Sequence, residues 1–186
     1  DVHIDNPELV ANKYPFELSG GMRQRIVIAL AMAGPPDLLI ADEPTTALDV
    51  TIQYEIINLI KELNKKRGTS VLFISHDLGV VSNTCERIIV MYAGEVVESG
   101  KTEEVLTRPR HPYTKSLLKA LPDAAAPDEP LQAIDGEPPN LLQRPVGCAF
   151  SSRCTHVMDV CKSEHPKLTE SEPGHHVSCW LEKVTV

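Results

Sequence analysis

The sequence has 186 residues, 42% hydrophobic composition and a formal net charge of −8, enough for one domain with an appendage. That acidity argues against non-specific nucleic-acid binding, which needs clustered Lys and Arg to displace phosphate counterions, and no apolar run approaches the length needed to span a bilayer. The chain opens on Asp1 with neither a charged-then-apolar signal region nor a transit-like Arg/Ser-rich stretch, so it is expected to begin in mid-domain.

In chain order, Leu18-Ser19-Gly20-Gly21-Met22 leads into residues 21–34, a run rich in Ala, Ile and Leu that predicts a helix stopped by Gly34-Pro35-Pro36. Leu38 to Ala41 is a short, wholly apolar strand, suited to the buried middle of a parallel sheet. After Asp49, the positions Ile52, Ile56, Leu59, Ile60 and Leu63 recur at helical spacing, and Gly68 ends that helix. Ser70 to Ser75 is a second buried strand, so the order strand, helix, strand is a βαβ crossover. Residues 87–92 and 95–98 flank Ala93-Gly94 and read as a hairpin. Thr102, followed by Glu103 and Glu104, reads as a capped helix start. Between Leu121 and Gly147 stand six prolines (122, 127, 130, 138, 139, 145), which predict an extended linker. Four of the five cysteines follow it.

The chemistry starts from residue types. Asp42 and Glu43 come directly after a buried strand, at the carboxyl edge where open α/β sheets place their ligands. Two adjacent carboxylates there can divide labour: Asp42 to hold Mg²⁺, through water, and Glu43 to orient and deprotonate a water that attacks a terminal phosphate. A solvated acidic turn is the plainer reading of the pair alone. Ser19, Gly20 and Gly21 precede a helix, where backbone N–H groups and the helix dipole make an anion site, or simply a cap. His76 ends the second strand, where an imidazole can hydrogen-bond a phosphate oxygen or serve only structure. Asp49 can cap the helix that follows it.

Leu18-Ser19-Gly20-Gly21-Met22, Leu38-Leu39-Ile40-Ala41-Asp42-Glu43-Pro44, Ala47-Leu48-Asp49 and Ile74-Ser75-His76-Asp77, in that order, resemble the signature loop, Walker B strand, D-loop and switch histidine of ABC-type ATPases. The resemblance covers roughly Tyr14 to Gly100. No G-x-x-x-x-G-K-[ST] phosphate loop precedes these motifs, so the expected architecture is the C-terminal half of such an α/β domain, over residues 1–105. The resemblance implies ATP and Mg²⁺ as ligands, with Glu43 and His76 catalytic and Asp42 on the metal. It makes Ser19, Gly20, Gly21 and Gln24 contacts to ATP held by the opposite subunit, and Asp49 a connection between the two sites of a dimer. A sheet without its phosphate-loop strand is expected to leave apolar strand faces and an edge exposed. The chain alone is expected not to hydrolyse ATP.

Arg108-Pro109-Arg110-His111-Pro112-Tyr113-Thr114, placed after Glu98-Ser99-Gly100 and before a Cys-containing tail, resembles the extension of ATP-binding subunits of oligopeptide and dipeptide importers, here residues 106–186. Five residues separate Cys148 from Cys154, six separate Cys154 from Cys161 and seventeen separate Cys161 from Cys179. No C-x-x-C pair is present, and bacterial ferredoxin spacing is tighter. The resemblance implies a [4Fe–4S] cluster on these four cysteines, ahead of Zn²⁺ and then of free thiols, with His156, His165, His175 and His176 as possible substitutes or surrounding groups and Trp180 as a shield. Cys85 reads as an isolated small core residue.

The function so implied is ATP hydrolysis coupled to peptide import. The implied partners are a second ATPase subunit, a paralogue, two membrane-spanning permease subunits and a separate solute-binding protein, with no nucleic acid. The implied place is the cytoplasmic face of the inner membrane, held there peripherally. Competing classes are import of another solute such as nickel, a soluble ABC ATPase of DNA repair or translation, and a metal- or redox-sensing module.

Overall fold

The computed structural model describes residues 1–121 and 133–184. It forms two compact units, Asp1–Thr84 and Cys85–Val186. The first holds helices α1 (Pro7–Val10), α2 (Gly20–Ala31), α3 (Val50–Arg67) and α4 (Leu78–Thr84) and strands β1 (Leu38–Asp42) and β2 (Ser70–Ile74). Strands β1 and β2 are parallel, in register from Leu38↔Ser70 to Asp42↔Ile74, with α3 as the crossover. The capping chemistry is local. Ser19 Oγ accepts from the Met22 N–H at 3.3 Å to start α2, and Asp49 Oδ1 accepts from the Ile52 N–H at 3.0 Å to start α3. Gly68 closes α3 in the left-handed region at φ 68°.

The core of this unit is Ile28 and Met32 of α2, Leu39 and Ala41 of β1, and Ile56, Leu59, Ile60 and Leu63 of α3. Gly20 and Gly21 bring the start of α2 close to the start of α3: a Cβ on Gly21 would meet Ile52 Cγ2 at 2.7 Å, and one on Gly20 would meet Leu48 Cδ2 at 3.1 Å. The all-apolar strands were expected to be buried on both faces. In the structure Leu39 and Ala41 are buried, while Leu38 and Ile40 are 52% and 59% exposed, and Leu72 and Ile74 stand open beside them. Within this unit only the α2–α3 side of the two-stranded sheet has helices packed on it.

The second unit holds β3 (Arg87–Tyr92), β4 (Glu95–Lys101), α5 (Thr102–Thr107), α6 (Pro112–Lys119), α7 (Asp159–Ser163), β5 (Thr169–Glu172), β6 (His175–Val177) and α8 (Leu181–Val184). Its sheet runs in the order β3-β4-β6-β5, with every pairing antiparallel. Ala93 and Gly94 both take positive φ, 51° and 82°, as a two-residue hairpin turn requires. The strands of the tail went unseen in the sequence because they are short and mostly polar: Thr169-Glu170-Ser171-Glu172 and His175-His176-Val177 lack an apolar alternation. Thr102 is also corrected. It is the first residue of α5, after Lys101, and its buried hydroxyl donates to the Cys85 carbonyl at 2.7 Å instead of capping. Residues 133–147 form no helix or strand, and the rest of the expected linker, 122–132, lies outside the described residues.

Candidate functional site

Strands β1 and β2 end side by side, which places Asp42, Glu43 and His76 at one edge. Glu43 follows β1 with a left-handed backbone, φ 47°, and its N–H donates to the Ile74 carbonyl at 3.0 Å, continuing the ladder by one bond. This geometry turns the Glu43 side chain onto the chain leaving β2. Glu43 Oε1 lies 2.8 Å from His76 Nδ1 and accepts from the His76 N–H at 3.2 Å; Oε2 accepts from the Thr46 hydroxyl at 3.0 Å. The hydrogen bond and charge of Glu43 raise the His76 pKa above its ordinary 6.5, and the hydrogen bond from His76 lowers that of Glu43. Both groups face solvent. Glu43 is therefore an ionised acceptor with a partner on each oxygen.

Asp42 is exposed at the end of β1, and among the described residues its carboxylate has neither an ion pair nor a side-chain hydrogen bond. A Mg²⁺ ion keeps several of its waters and needs one or two exposed carboxylates, which this position fits. Ser19 caps α2, Gly20 and Gly21 open its first turn and Gln24 follows at the start of the second; Ser19 retains its hydroxyl proton as a donor after capping. Among the described residues no hydrogen bond joins this group to Glu43 or His76. Asp49 is a helix cap here, as the plainer reading had it. Two polar partners were not singled out from sequence. Thr46 steadies Glu43 from three residues away, within the same turn. Asp77 accepts from the N–H groups of Gly79 (2.9 Å) and Val80 (3.2 Å) and from Gln53 (3.4 Å), fixing the turn after His76.

A second constellation lies in the other unit. Cys148, Cys154, Cys161 and Cys179 line one small cavity with His111, Pro112, Phe150, His156, Trp180 and Leu181. It encloses about 10 Å³, room for about one water. Cys148 and Cys161 are tied through backbone, with the Cys148 N–H donating to the Cys161 carbonyl at 2.8 Å. Three sulfurs accept the N–H two residues further on: Cys148 from Phe150, Cys154 from His156 (3.4 Å), and Cys179 from Leu181. Burial still pushes the thiols of Cys148 and Cys154 up, and that of Cys179 to about 11. Trp180 also lines this cavity.

The histidine set is corrected. Only His156 of the four lines the cavity; His165 lies 3.7 Å from Glu95, and the buried His175 binds Glu98 on the sheet. Among the described residues no group of three or more His, Cys, Asp or Glu side chains closes into a shell that could hold a metal ion, and no helix is long and apolar enough to cross a membrane.

Two family models match the chain: "ABC transporter" over residues 2–46, and "Oligopeptide/dipeptide transporter, C-terminal region" over residues 97–161. Similar curated proteins include the "Probable peptide ABC transporter ATP-binding protein y4tR" of Sinorhizobium fredii, 51% identical over 96% of this chain and 54% of its own length. The oligopeptide transport ATP-binding protein OppD of Bacillus subtilis is 50% identical over 97% of this chain and 51% of its own. The dipeptide transport ATP-binding protein DppD of the same organism is 49% identical over 97% and 54%. The chain thus spans about half the length of the curated relatives it matches.

Proposed function

The chain belongs to the ATP-binding proteins of oligopeptide and dipeptide ABC transporters, and we propose that it forms the later half of an ATP-hydrolysing subunit that energises peptide import across the cytoplasmic membrane. Residues 1–105 serve as the later part of the ATPase domain and 106–186 as the importer-type extension. The observation that carries this reading is the Glu43–His76 pair at the joined ends of β1 and β2. Glu43 orients and accepts a proton from the attacking water once that water displaces one of its present partners. His76, held by Glu43, donates from its remaining ring nitrogen toward a phosphate oxygen. Asp42 holds Mg²⁺, which neutralises charge on the phosphates when bound. Ser19, Gly20, Gly21 and Gln24 offer donors to ATP on a second ATPase subunit, a paralogue, and Asp49 lies at the junction of the two sites.

The remaining partners are two membrane-spanning permease subunits and a separate solute-binding protein, so the subunit sits peripherally at the membrane's cytoplasmic face. The test is ATP hydrolysis by the assembled transporter. Stimulation by solute-binding protein loaded with peptide is expected; stimulation by nickel and not by peptide would overturn the substrate class.

For the tail, we propose that Cys148, Cys154, Cys161 and Cys179 hold a [4Fe–4S] cluster. The convergence of four thiols on one cavity and the three N–H···S bonds support this, because such bonds stabilise thiolate and tune a bound centre. A cluster of that size requires the cavity to widen from its present water-sized space, which a single Zn²⁺ demands less. Iron and sulfide content with a visible charge-transfer band, lost in a Cys154→Ser/Cys161→Ser variant, is the expected result. Stoichiometric zinc without colour would replace the cluster, and no metal would remove both.

A further inference from the structure

Glu98 on β4 is completely buried, and the ATP chemistry has no use for it. Its carboxylate accepts three hydrogen bonds. Oε1 takes the Arg110 N–H at 2.7 Å and His175 Nε2–H at 2.8 Å, and Oε2 takes the His111 N–H at 3.0 Å. Burying a carboxylate is strongly unfavourable unless donors of this number and geometry surround it. One donor comes from the neighbouring strand β6. The other two are consecutive backbone groups of the segment that enters α6.

That segment is part of the wall of the four-cysteine cavity. His111 caps α6, its Nδ1 accepting from the Tyr113 N–H at 3.0 Å, and His111 and Pro112 both line the cavity. Tyr113 and His111 pack on Phe150, with ring centroids 5.4 and 6.0 Å apart, and Phe150 lies two residues from Cys148 and supplies its N–H to that sulfur. Phe150 is itself 1% exposed and also touches Tyr92 of β3. A continuous set of contacts therefore runs from the Glu98 carboxylate, through the N–H groups of residues 110 and 111, to the rings that back the Cys148 loop.

We propose that Glu98 is a positioning residue for the four-cysteine cavity: by gripping the Arg110 and His111 N–H groups it fixes the His111-Pro112-Tyr113 segment as the wall against which Cys148, Cys154, Cys161 and Cys179 close. The His111-Pro112-Tyr113 run thereby acquires a physical role of its own, as a strap between the sheet and the thiol site. The inference deepens the reading of the tail as one thiol site and rests on that convergence, but not on which group the thiols hold.

The experiment is labelling of the reduced, chelator-treated chain with N-ethylmaleimide, with the rate at each cysteine read by peptide mass spectrometry and folding checked by circular dichroism. In Glu98→Gln, an amide N–H₂ faces a backbone donor and the grip fails. All four tail cysteines are expected to react about ten-fold faster, as easier local opening requires, while Cys85 changes by less than about two-fold. His175→Ala removes the strand-side donor and leaves the two backbone bonds to residues 110 and 111 in place; a smaller rise in its tail-thiol rates than in Glu98→Gln is expected, and an equal or larger one would overturn the proposal. Should Glu98→Gln fail to fold, Glu98→Asp, which keeps the charge and withdraws the oxygens by one methylene, is expected to show the same selective rise. Equal tail-thiol rates in wild type and folded Glu98 variants would overturn the proposal, and so would a rise at Cys85 as large as that in the tail. Metal analysis of the wild type decides the cluster reading separately.

Discussion

Gly147 offers the sharpest test of the cavity's architecture. A Cβ at this position would lie 2.2 Å from the Cys161 carbonyl oxygen and 2.7 Å from the carbonyl carbon of Lys162, backbone atoms that no rotamer change can withdraw. Ordinary contact begins at 3.4 Å, so Gly147→Ala forces two backbone segments apart by more than an ångström. The neighbouring Cys148 N–H bond to the same Cys161 carbonyl, now 2.8 Å, does not survive that separation. Overpacking costs roughly 1–3 kcal/mol, and an orphaned, partly buried donor about 1–3 kcal/mol more. The stiffer unfolded chain returns only ~0.4–1 kcal/mol. A net loss of about 1–5 kcal/mol is expected, a sizeable part of the ~5–15 kcal/mol that stabilises a typical domain. Urea unfolding followed by fluorescence of Trp180, the single tryptophan and a lining residue of the cavity, measures it. A variant within about 0.5 kcal/mol of wild type would refute the close approach of residues 147 and 161.

Two further outcomes follow from the titrating groups. The His76 imidazole, followed by NMR, should titrate above 6.5 and move back toward it in Glu43→Gln; an unmoved midpoint would mean that the two side chains do not pair in solution. Any stability from this pair is present below the unfolded histidine value and is lost as pH rises through the raised His76 midpoint. His111 has the opposite sign: burial pushes it down to about 4, so the folded chain resists a proton that the unfolded chain accepts. Stability should fall as pH drops from about 6.5 toward 4, by a limit of about 3 kcal/mol. His111→Asn, which keeps a capping oxygen, should flatten that slope in urea titrations, and parallel slopes would contradict the burial.

The sequence was most legible where one residue type serves one local demand. Gly68, Asp49 and Ser19 mark helix ends by capping chemistry, Ala93-Gly94 marks a two-residue turn, and the Ile56–Leu63 periodicity marks a buried helix face. The Glu43–His76 meeting could be anticipated because β1 and β2 both run into motif residues and parallel neighbours end together. What stayed hidden depends on contacts between distant segments. Nothing local shows that Glu98 accepts from residues 110, 111 and 175, that His175 serves the sheet and not the cysteines, or that Thr102 turns its hydroxyl inward to Cys85. The apolar β1 misled in one respect. Its composition suits two covered faces, and within its unit only one is covered.

The proposed role of Glu43 is to activate water at the edge formed by β1 and β2. Its most direct measurement is single-turnover ATP hydrolysis by the assembled transporter carrying Glu43→Gln in this segment, beside ATP-driven association of the two ATPase subunits. Association close to wild type is expected, with the chemical step slowed by at least about 10²-fold, the lower range for loss of a general base. Hydrolysis at the wild-type rate in that variant would contradict that role.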